Sequence, residues 1–117
     1  MSDQPIRRAT LADIAGLAAC IDAAYAHYRA TIPDLPEVSR GLAGDIADHH
    51  VWVALADGTI AGGVVLHVSG VGAHLANLAL HPGWQGKGLG RSLIAKAEGF
   101  ARSQGCQSLS LGVYIFN

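Results

Sequence analysis

The spacing of apolar residues along the chain changes between two periods, one typical of β-strands and one typical of α-helices. Stretches rich in β-branched and aliphatic residues predict strands, and apolar residues that recur every three or four positions predict helices. The predicted order is β, α, α, β, β, β, α, β. Strands are expected at residues 6–9, 51–56, 60–68, 73–80 and 108–114, and helical apolar stripes lie within residues 11–21, 38–46 and 89–101.

Polar residues and glycines mark where these elements begin and end. Thr10 is expected to cap the first helix, with Asp13 in its first turn. Asp57-Gly58 predicts a tight antiparallel hairpin, because glycine adopts positive φ without strain. Gly105 stands where the last helix should stop. With 117 residues and no repeat or long linker, the chain is expected to form one domain over residues 1–117.

Composition narrows the class of protein. Half of the residues are hydrophobic and 15% are charged, which excludes intrinsic disorder. A formal net charge of −1 is too balanced for a nucleic-acid-binding surface, and no apolar run approaches the length of a membrane span. Cys20 and Cys106 are too few for a disulfide scaffold and are expected to be buried free thiols. The expected location is cytoplasmic, with neither nucleic acid nor membrane as a partner.

The segment Gln85-Gly86-Lys87-Gly88-Leu89-Gly90-Arg91-Ser92 lies between a predicted strand and a predicted helix. A glycine-rich turn at a helix start exposes unpaired N–H groups, which together with the helix dipole form a site for an anion. The surrounding half of the chain, residues 58–117, holds four basic residues and one acidic residue. The alternative, that the glycines serve only to turn the chain, stays open on this evidence.

Two familiar phosphate-binding patterns do not fit this segment. The Walker pattern requires Lys after its last glycine, but Leu89 follows Gly88. The dinucleotide fingerprint requires a third glycine at the position of Arg91 or of Leu93. ATP hydrolysis and NAD binding are therefore disfavoured.

The same segment closely resembles motif A of the GNAT superfamily, the Gcn5-related N-acetyltransferases, whose pattern Gln/Arg-x-x-Gly-x-Gly/Ala is filled by Gln85, Gly88 and Gly90. The resemblance extends upstream through residues 77–82 and to residues 6–10 near the start of the chain. It implies an α/β (α+β) fold with a mixed, mainly antiparallel sheet flanked by helices. The order would be β1-α1-α2-β2-β3-β4-α3-β5.

The resemblance also implies acetyl-CoA as cosubstrate, with loop amides on its diphosphate and its pantetheine arm along the fourth strand. A backbone amide near Leu80 would polarise the thioester carbonyl. The residues expected to contact the cofactor are Leu78, Ala79, Leu80, Gln85, Gly86, Lys87, Gly88, Leu89, Gly90, Arg91, Ser92 and Asn117.

The activity implied is transfer of an acetyl group to an amine of an unknown small molecule or protein, without a metal. The amine must lose a proton before it attacks, so a base is needed. His74 and His67 are the expected candidates, with His81 ranked below them because it adjoins a turn. For each histidine a purely structural role remains the alternative.

The chain departs from the family at its C-terminal end. A complete domain of this kind continues after the fifth strand with a helix and two more strands, and here the sequence ends at Asn117. Three explanations follow: a fragment of a longer enzyme, a homodimer completed along the exposed edge of the sheet, or a domain that binds acyl-CoA without turnover. The first is favoured, and the last is the alternative function.

Overall fold

A computed structural model describes residues 6–29 and 41–111 of the chain. The strands are β1 (Ile6–Arg8), β2 (His50–Ala56), β3 (Thr59–Ser69), β4 (Gly72–Leu80) and β5 (Ser108–Leu111), and the helices are α1 (Ile14–Arg29), α2 (Leu42–Asp48) and α3 (Leu89–Ser103). This order and the α/β class confirm the prediction. Val38, Tyr114 and Asn117, to which the sequence analysis assigned elements or contacts, lie outside the described residues. None of the helices in the described ranges combines the length and hydropathy needed to cross a bilayer.

The five strands form one sheet in the order β1-β2-β3-β4-β5. Neighbouring strands are antiparallel except for β4 and β5, which are parallel. Asp57 and Gly58 both have positive φ, 51° and 80°, as a two-residue type I′ turn between β2 and β3 requires. The predicted hairpin is therefore confirmed, and it sets the antiparallel register of the central strands.

Helices cover both faces of the sheet and form two separate cores. On one face α3 packs Leu93, Ala97 and Ala101 against side chains of β2, β3 and β4. On the other face α1 and α2 pack Leu17 and Leu42 against the sheet. A Cβ at Gly63 would lie only 2.6 Å from Leu17 Cδ1. The absence of a side chain at Gly63 therefore allows α1 to pack this close to the sheet. The nearly continuous burial of the central strands β2 and β3 follows from this two-sided packing.

Strand β4 contains an irregularity that shapes its outer edge. Leu75 pairs with Leu66 of β3 and Asn77 pairs with Val65, so Ala76 is an extra residue without a partner, a β-bulge. Pairing between β4 and β5 runs from Gly72 to Leu75. The remainder of β4 continues to Leu80 along β3, and within the described ranges no strand pairs with its other edge.

Candidate functional site

The outer edge of β4 presents main-chain groups that no described strand pairs with beyond Leu75. The N–H of His81 donates to the carbonyl oxygen of Ala61 on β3 at 2.8 Å. Because main-chain groups alternate in direction along a strand, those of Ala79 also face β3, and those of Leu78 and Leu80 face away from it. Ala79 in addition buries its side chain on the α1 face of the sheet. Among the described residues, the N–H groups of Leu78 and Leu80 are thus the ones in this segment that are open to a ligand.

A compact loop leads from the end of β4 to α3. Pro82–Trp84 forms a single 3-10 turn, closed by the N–H of Trp84 donating to the carbonyl oxygen of His81 at 2.8 Å. The Gln85 side chain then reaches back, and its Nε2 donates to the carbonyl oxygen of Leu80 at 3.2 Å. This hydrogen bond ties the glycine-rich segment to the open edge of β4. Trp84 packs against the core on the α3 side, so it anchors the turn.

Gly86 and Gly88 determine how the chain enters α3. Their φ angles are 77° and 85°, in the left-handed region that costs other residues about 1–2 kcal/mol. A Cβ at either position would meet nothing within 4 Å, so this need for glycine is conformational. At Gly90 the need is space, because a Cβ there would stand 3.2 Å from Leu80 Cδ1.

The loop leaves a row of main-chain donors unused. The first hydrogen bond at the start of α3 runs from the N–H of Ser92 to the carbonyl oxygen of Gly88 at 3.2 Å. In residues 6–29 and 41–111, no protein acceptor receives the N–H groups from Gly86 to Arg91, whereas that of Gln85 points to the Pro82 carbonyl at 3.5 Å. The positive end of the helix dipole lies at the same place. Such an arrangement can hold an anion of the size of a diphosphate.

The side chains of the loop fall into two groups. Lys87 and Arg91 are exposed, and neither forms an ion pair with any residue that the structure describes. Leu89 is buried in the core, so only its backbone is available to a ligand. The Ser92 hydroxyl donates to the Gly88 carbonyl at 3.3 Å, a hydrogen bond within the first turn of α3.

Two of the three candidate histidines lie side by side on the central strands. His67 of β3 is paired in register with His74 of β4, and their ring centroids are 6.4 Å apart. Nδ1 of His74 hydrogen-bonds Ser110 Oγ at 2.9 Å, an interaction that orients the ring and that no spacing in the sequence predicts. Burial, followed by the charge of His49, lowers the pKa of His67 and favours its neutral form. His81 lies apart, with its Nδ1 accepting the N–H of Gly83 at 3.2 Å.

The expected catalytic groups are spread along β4. Leu80 lies six positions after His74 along β4, which corresponds to about 20 Å of extended strand. Leu78 lies four positions after His74, which corresponds to about 13 Å if the bulge is ignored. His74 therefore lies far closer to the Leu78 amide than to that of Leu80. Neither distance permits direct proton transfer to a group held at the amide, which needs about 3 Å or one intervening water.

A cavity of about 630 Å³ adjoins the loop on the α1 side of the sheet. Arg7 and Asp13 form a bidentate ion pair in the wall of this cavity, with nitrogen–oxygen distances of 2.7 and 2.8 Å. This guanidinium holds the pKa of the Asp13 carboxyl well below its usual range. Cys20, also on the wall, has its pKa raised to about 11 by burial. The cavity therefore contains a fixed ion pair and an unreactive thiol.

The fold is shared with solved acetyltransferase structures at low sequence identity. PaiA N-acetyltransferase from Thermoplasma acidophilum, in complex with coenzyme A, is 21% identical and superimposes with a TM-score of 0.78 over 89% of this chain and 75% of that chain. A GNAT family acetyltransferase from Brucella melitensis, in complex with acetyl-CoA, is 20% identical with a TM-score of 0.78 over 95% of this chain and 76% of that chain. Ribosomal-protein-S18-alanine N-acetyltransferase from Escherichia coli is 20% identical with a TM-score of 0.78, covering 93% of this chain and 66% of that chain.

Sequence comparison adds the family. No curated protein matches the chain. The family model described as acetyltransferase (GNAT) family matches residues 18–117, which include β2 to β5, the glycine-rich loop and α3. The motif predicted from Gln85, Gly88 and Gly90 lies within that match. The chain belongs to the GNAT family of acetyltransferases.

Proposed function

We propose that this protein is an N-acetyltransferase that moves an acetyl group from acetyl-CoA to an amine of a small molecule or protein. The observation that carries the proposal is the continuity of two sets of unused main-chain groups. The free N–H groups from Gly86 to Arg91 lie next to the open edge of β4 at Leu80 and Leu78. A ligand that carries a diphosphate followed by a chain with amide groups matches this spatial arrangement of main-chain donors. Structures of the same fold hold coenzyme A or acetyl-CoA, which supports the choice of ligand.

In this proposal the diphosphate rests on the N–H groups from Gly86 to Arg91. The helix dipole and the exposed cations of Lys87 and Arg91 add favourable charge. Gln85 and Ser92 act indirectly, since the first holds the loop to β4 and the second closes the first turn of α3.

The pantetheine arm then pairs with the open edge of β4, as an added strand would. An arm that enters from the loop meets Leu80 first and Leu78 next, and both residues turn their N–H groups outward. We assign the pantetheine contact to Leu80 and the thioester carbonyl to Leu78, two residues from the donor expected from the sequence. The reason is that the thioester is at the end of the arm remote from the diphosphate, and Leu78 is further from the loop than Leu80. Ala79 contributes only packing, because its backbone is bonded to β3.

The reaction would be direct attack of a neutral amine on the thioester carbon. The C–N bond forms as the carbonyl oxygen takes up negative charge, and the Leu78 N–H stabilises that charge. The C–S bond then breaks, the thiolate of coenzyme A leaves and takes a proton, and the amine loses its proton to a base. His74 is our first candidate for that base and His67 the second, in each case through a chain of water molecules, because of the spacing along β4.

A second candidate function is binding of acyl-CoA without turnover. The observation that favours it is the same spacing, about 13 Å between His74 and the Leu78 amide. In that case the cofactor site would be intact while no base serves the thioester.

Two measurements on the full chain separate these functions. Calorimetric titration with acetyl-CoA tests the cofactor site, and absence of binding would refute both candidates. Release of free coenzyme A, followed with a thiol reagent in the presence of a panel of amines, tests turnover. Amine-dependent release above the rate of hydrolysis supports the enzyme, and tight binding with no release supports the binding domain. His74→Gln should then lower kcat with little change in the KM for acetyl-CoA, because the histidine lies away from the diphosphate loop.

A further inference from the structure

The last turn of α2 and the middle of the sheet bring three potential metal ligands together. Leu42 is buried and Ile46 packs beside it, so this stripe of α2 faces the sheet. The next stripe carries Asp45 and His49, one turn apart, with the N–H of His49 donating to the Asp45 carbonyl at 2.9 Å. Docking of Leu42 and Ile46 therefore brings both polar side chains over β3, where His67 projects from the same face of the sheet.

The distances between the donor atoms are close to those of a metal site. One ligand atom each from Asp45, His49 and His67 lies within 4.8 Å of the other two. Three points at that separation fit within a circle of radius about 2.8 Å, whereas bonds from Zn²⁺ to nitrogen or oxygen measure about 2.0–2.2 Å. Each ligand atom would have to move inward by less than about 1 Å, and the His49 ring would have to turn out of its stack on His67, because an imidazole binds a metal in the plane of its ring.

The local hydrogen bonding leaves a donor atom unused. Nε2 of His67 is buried and has no hydrogen-bond partner among the residues that the structure describes. Oδ1 of Asp45 is 3.8 Å from this nitrogen, too far for a hydrogen bond. The ring of His49 stacks on that of His67 at 3.6 Å. Buried polar atoms are rarely left unpaired, so this nitrogen calls for a partner beyond those that residues 6–29 and 41–111 provide.

We propose that Asp45, His49 and His67 bind one divalent transition-metal ion. Two imidazole nitrogens and one carboxylate suit Zn²⁺, Co²⁺ or Ni²⁺, whereas Mg²⁺ and Ca²⁺ prefer sites made of oxygen. The side chains of His67 and Asp45 are 37% and 27% exposed, so an ion can enter from solvent. No metal is expected from the sequence, and the proposed site does not depend on acetyl transfer.

A bound ion would have two consequences. It would fasten α2, whose seven residues are too few to form a stable helix alone, to the central strand β3. It would also occupy the lone pair of His67 Nε2, so that His67 could not accept a proton while the metal is bound. His74 would then remain the histidine available to the reaction.

The test is titration of the chelator-treated full chain with Zn²⁺ alone, by calorimetry and by competition with a chromogenic chelator. We expect one equivalent to bind and the unfolding temperature to rise with Zn²⁺ but not with Mg²⁺. Asp45→Asn, His49→Gln and His67→Gln should each weaken binding at least about tenfold. The matched control is His50→Gln, since His50 follows His49 directly but packs on Phe100 across the sheet, with ring centroids 4.4 Å apart.

Two results would overturn the proposal. One is the absence of saturable Zn²⁺ binding. The other is binding that His50→Gln weakens as much as His49→Gln does, which would mean adventitious binding by surface histidines. Asp45→Asn and His49→Gln alter partly exposed side chains of a short helix, so they keep the test decisive if His67→Gln fails to fold.

Discussion

The assignment of the diphosphate to the glycine-rich loop can be tested at Gly88. This residue precedes α3 with φ 85° and ψ 0°, and a Cβ there would meet no atom within 4 Å. Gly88→Ala therefore costs backbone strain alone, about 1 kcal/mol of folding free energy and at most about 2. Gly88→Glu carries the same strain, so the two variants should unfold at the same urea concentration to within experimental scatter.

The variants should differ in cofactor binding. A carboxylate placed about 4 Å from one phosphate charge costs about 1 kcal/mol in water and about 4 kcal/mol at the effective dielectric constant of a protein surface. Gly88→Glu should therefore bind coenzyme A at least about fivefold more weakly than Gly88→Ala, in calorimetry at about 0.1 M salt. Gly99→Glu is the charge-matched control, because it is exposed and unobstructed on the same helix. Gly99 lies about 16 Å further along α3 than Gly88. This separation exceeds the Debye length of about 10 Å at about 0.1 M salt, so repulsion between a charge at residue 99 and the diphosphate is largely screened.

A specific result would refute this reasoning. If Gly88→Glu and Gly88→Ala bind coenzyme A with affinities within about threefold of each other, no anion rests against the start of α3. If Gly99→Glu weakens binding as much as Gly88→Glu does, the effect is one of net charge and says nothing about the loop.

Three further predictions concern the rest of the molecule. The Arg7 guanidinium lowers the pKa of Asp13. The ionised carboxylate therefore stabilises the fold at pH values above the ordinary pKa of Asp, and this stabilisation is lost as the pH falls through the lowered pKa. The stability advantage of the wild type over Asp13→Asn in urea should shrink on acidification below about pH 4, and a pH-independent difference would contradict the ion-pair argument. Burial raises the pKa of Cys20 to about 11, so iodoacetamide at pH 8 should label Cys106 first, as mass spectrometry would reveal; prior labelling of Cys20 would contradict its burial. Deletion of Ala76 should leave the urea midpoint unchanged or raised while weakening coenzyme A binding, and unchanged binding would show that the bulge does not maintain the open edge of β4.

The parts of the fold that follow from local rules were predictable from sequence. The Asp57-Gly58 turn needs only two residues that tolerate positive φ, and α3 needs only an apolar stripe between a glycine-rich start and a glycine stop. The bulge at Ala76 was not predicted, because it depends on how β4 pairs with β3 and leaves no periodic signal of its own.

The candidate site likewise contains features that follow from the sequence and features that depend on the tertiary structure. Gly86 and Gly88 do adopt the left-handed conformation that glycine permits, so their place in the motif has a local cause. The separation of His74 from Leu80 needed the extended geometry of β4, which turns a short distance in sequence into a long one in space. The approach of Asp45 to His67 depends on the docking of α2 across the sheet, so no spacing in the sequence predicts it.

The bulge explains how one strand can serve both the core and a ligand. Before Ala76 the odd-numbered residue Leu75 faces α3, and after it the even-numbered Leu78 does, so the extra residue lets both leucines enter the same core. A bulge also bends its strand and increases the local twist. Beyond the bulge, the N–H groups of Leu78 and Leu80 have no strand partner in the described chain, while β3 pairs with the other edge of β4. The open edge is therefore rigid, because it is bonded on one side, and it is aligned with the loop through Gln85. A rigid row of donors loses little conformational freedom when a ligand binds, which is the physical advantage of building such a site from backbone.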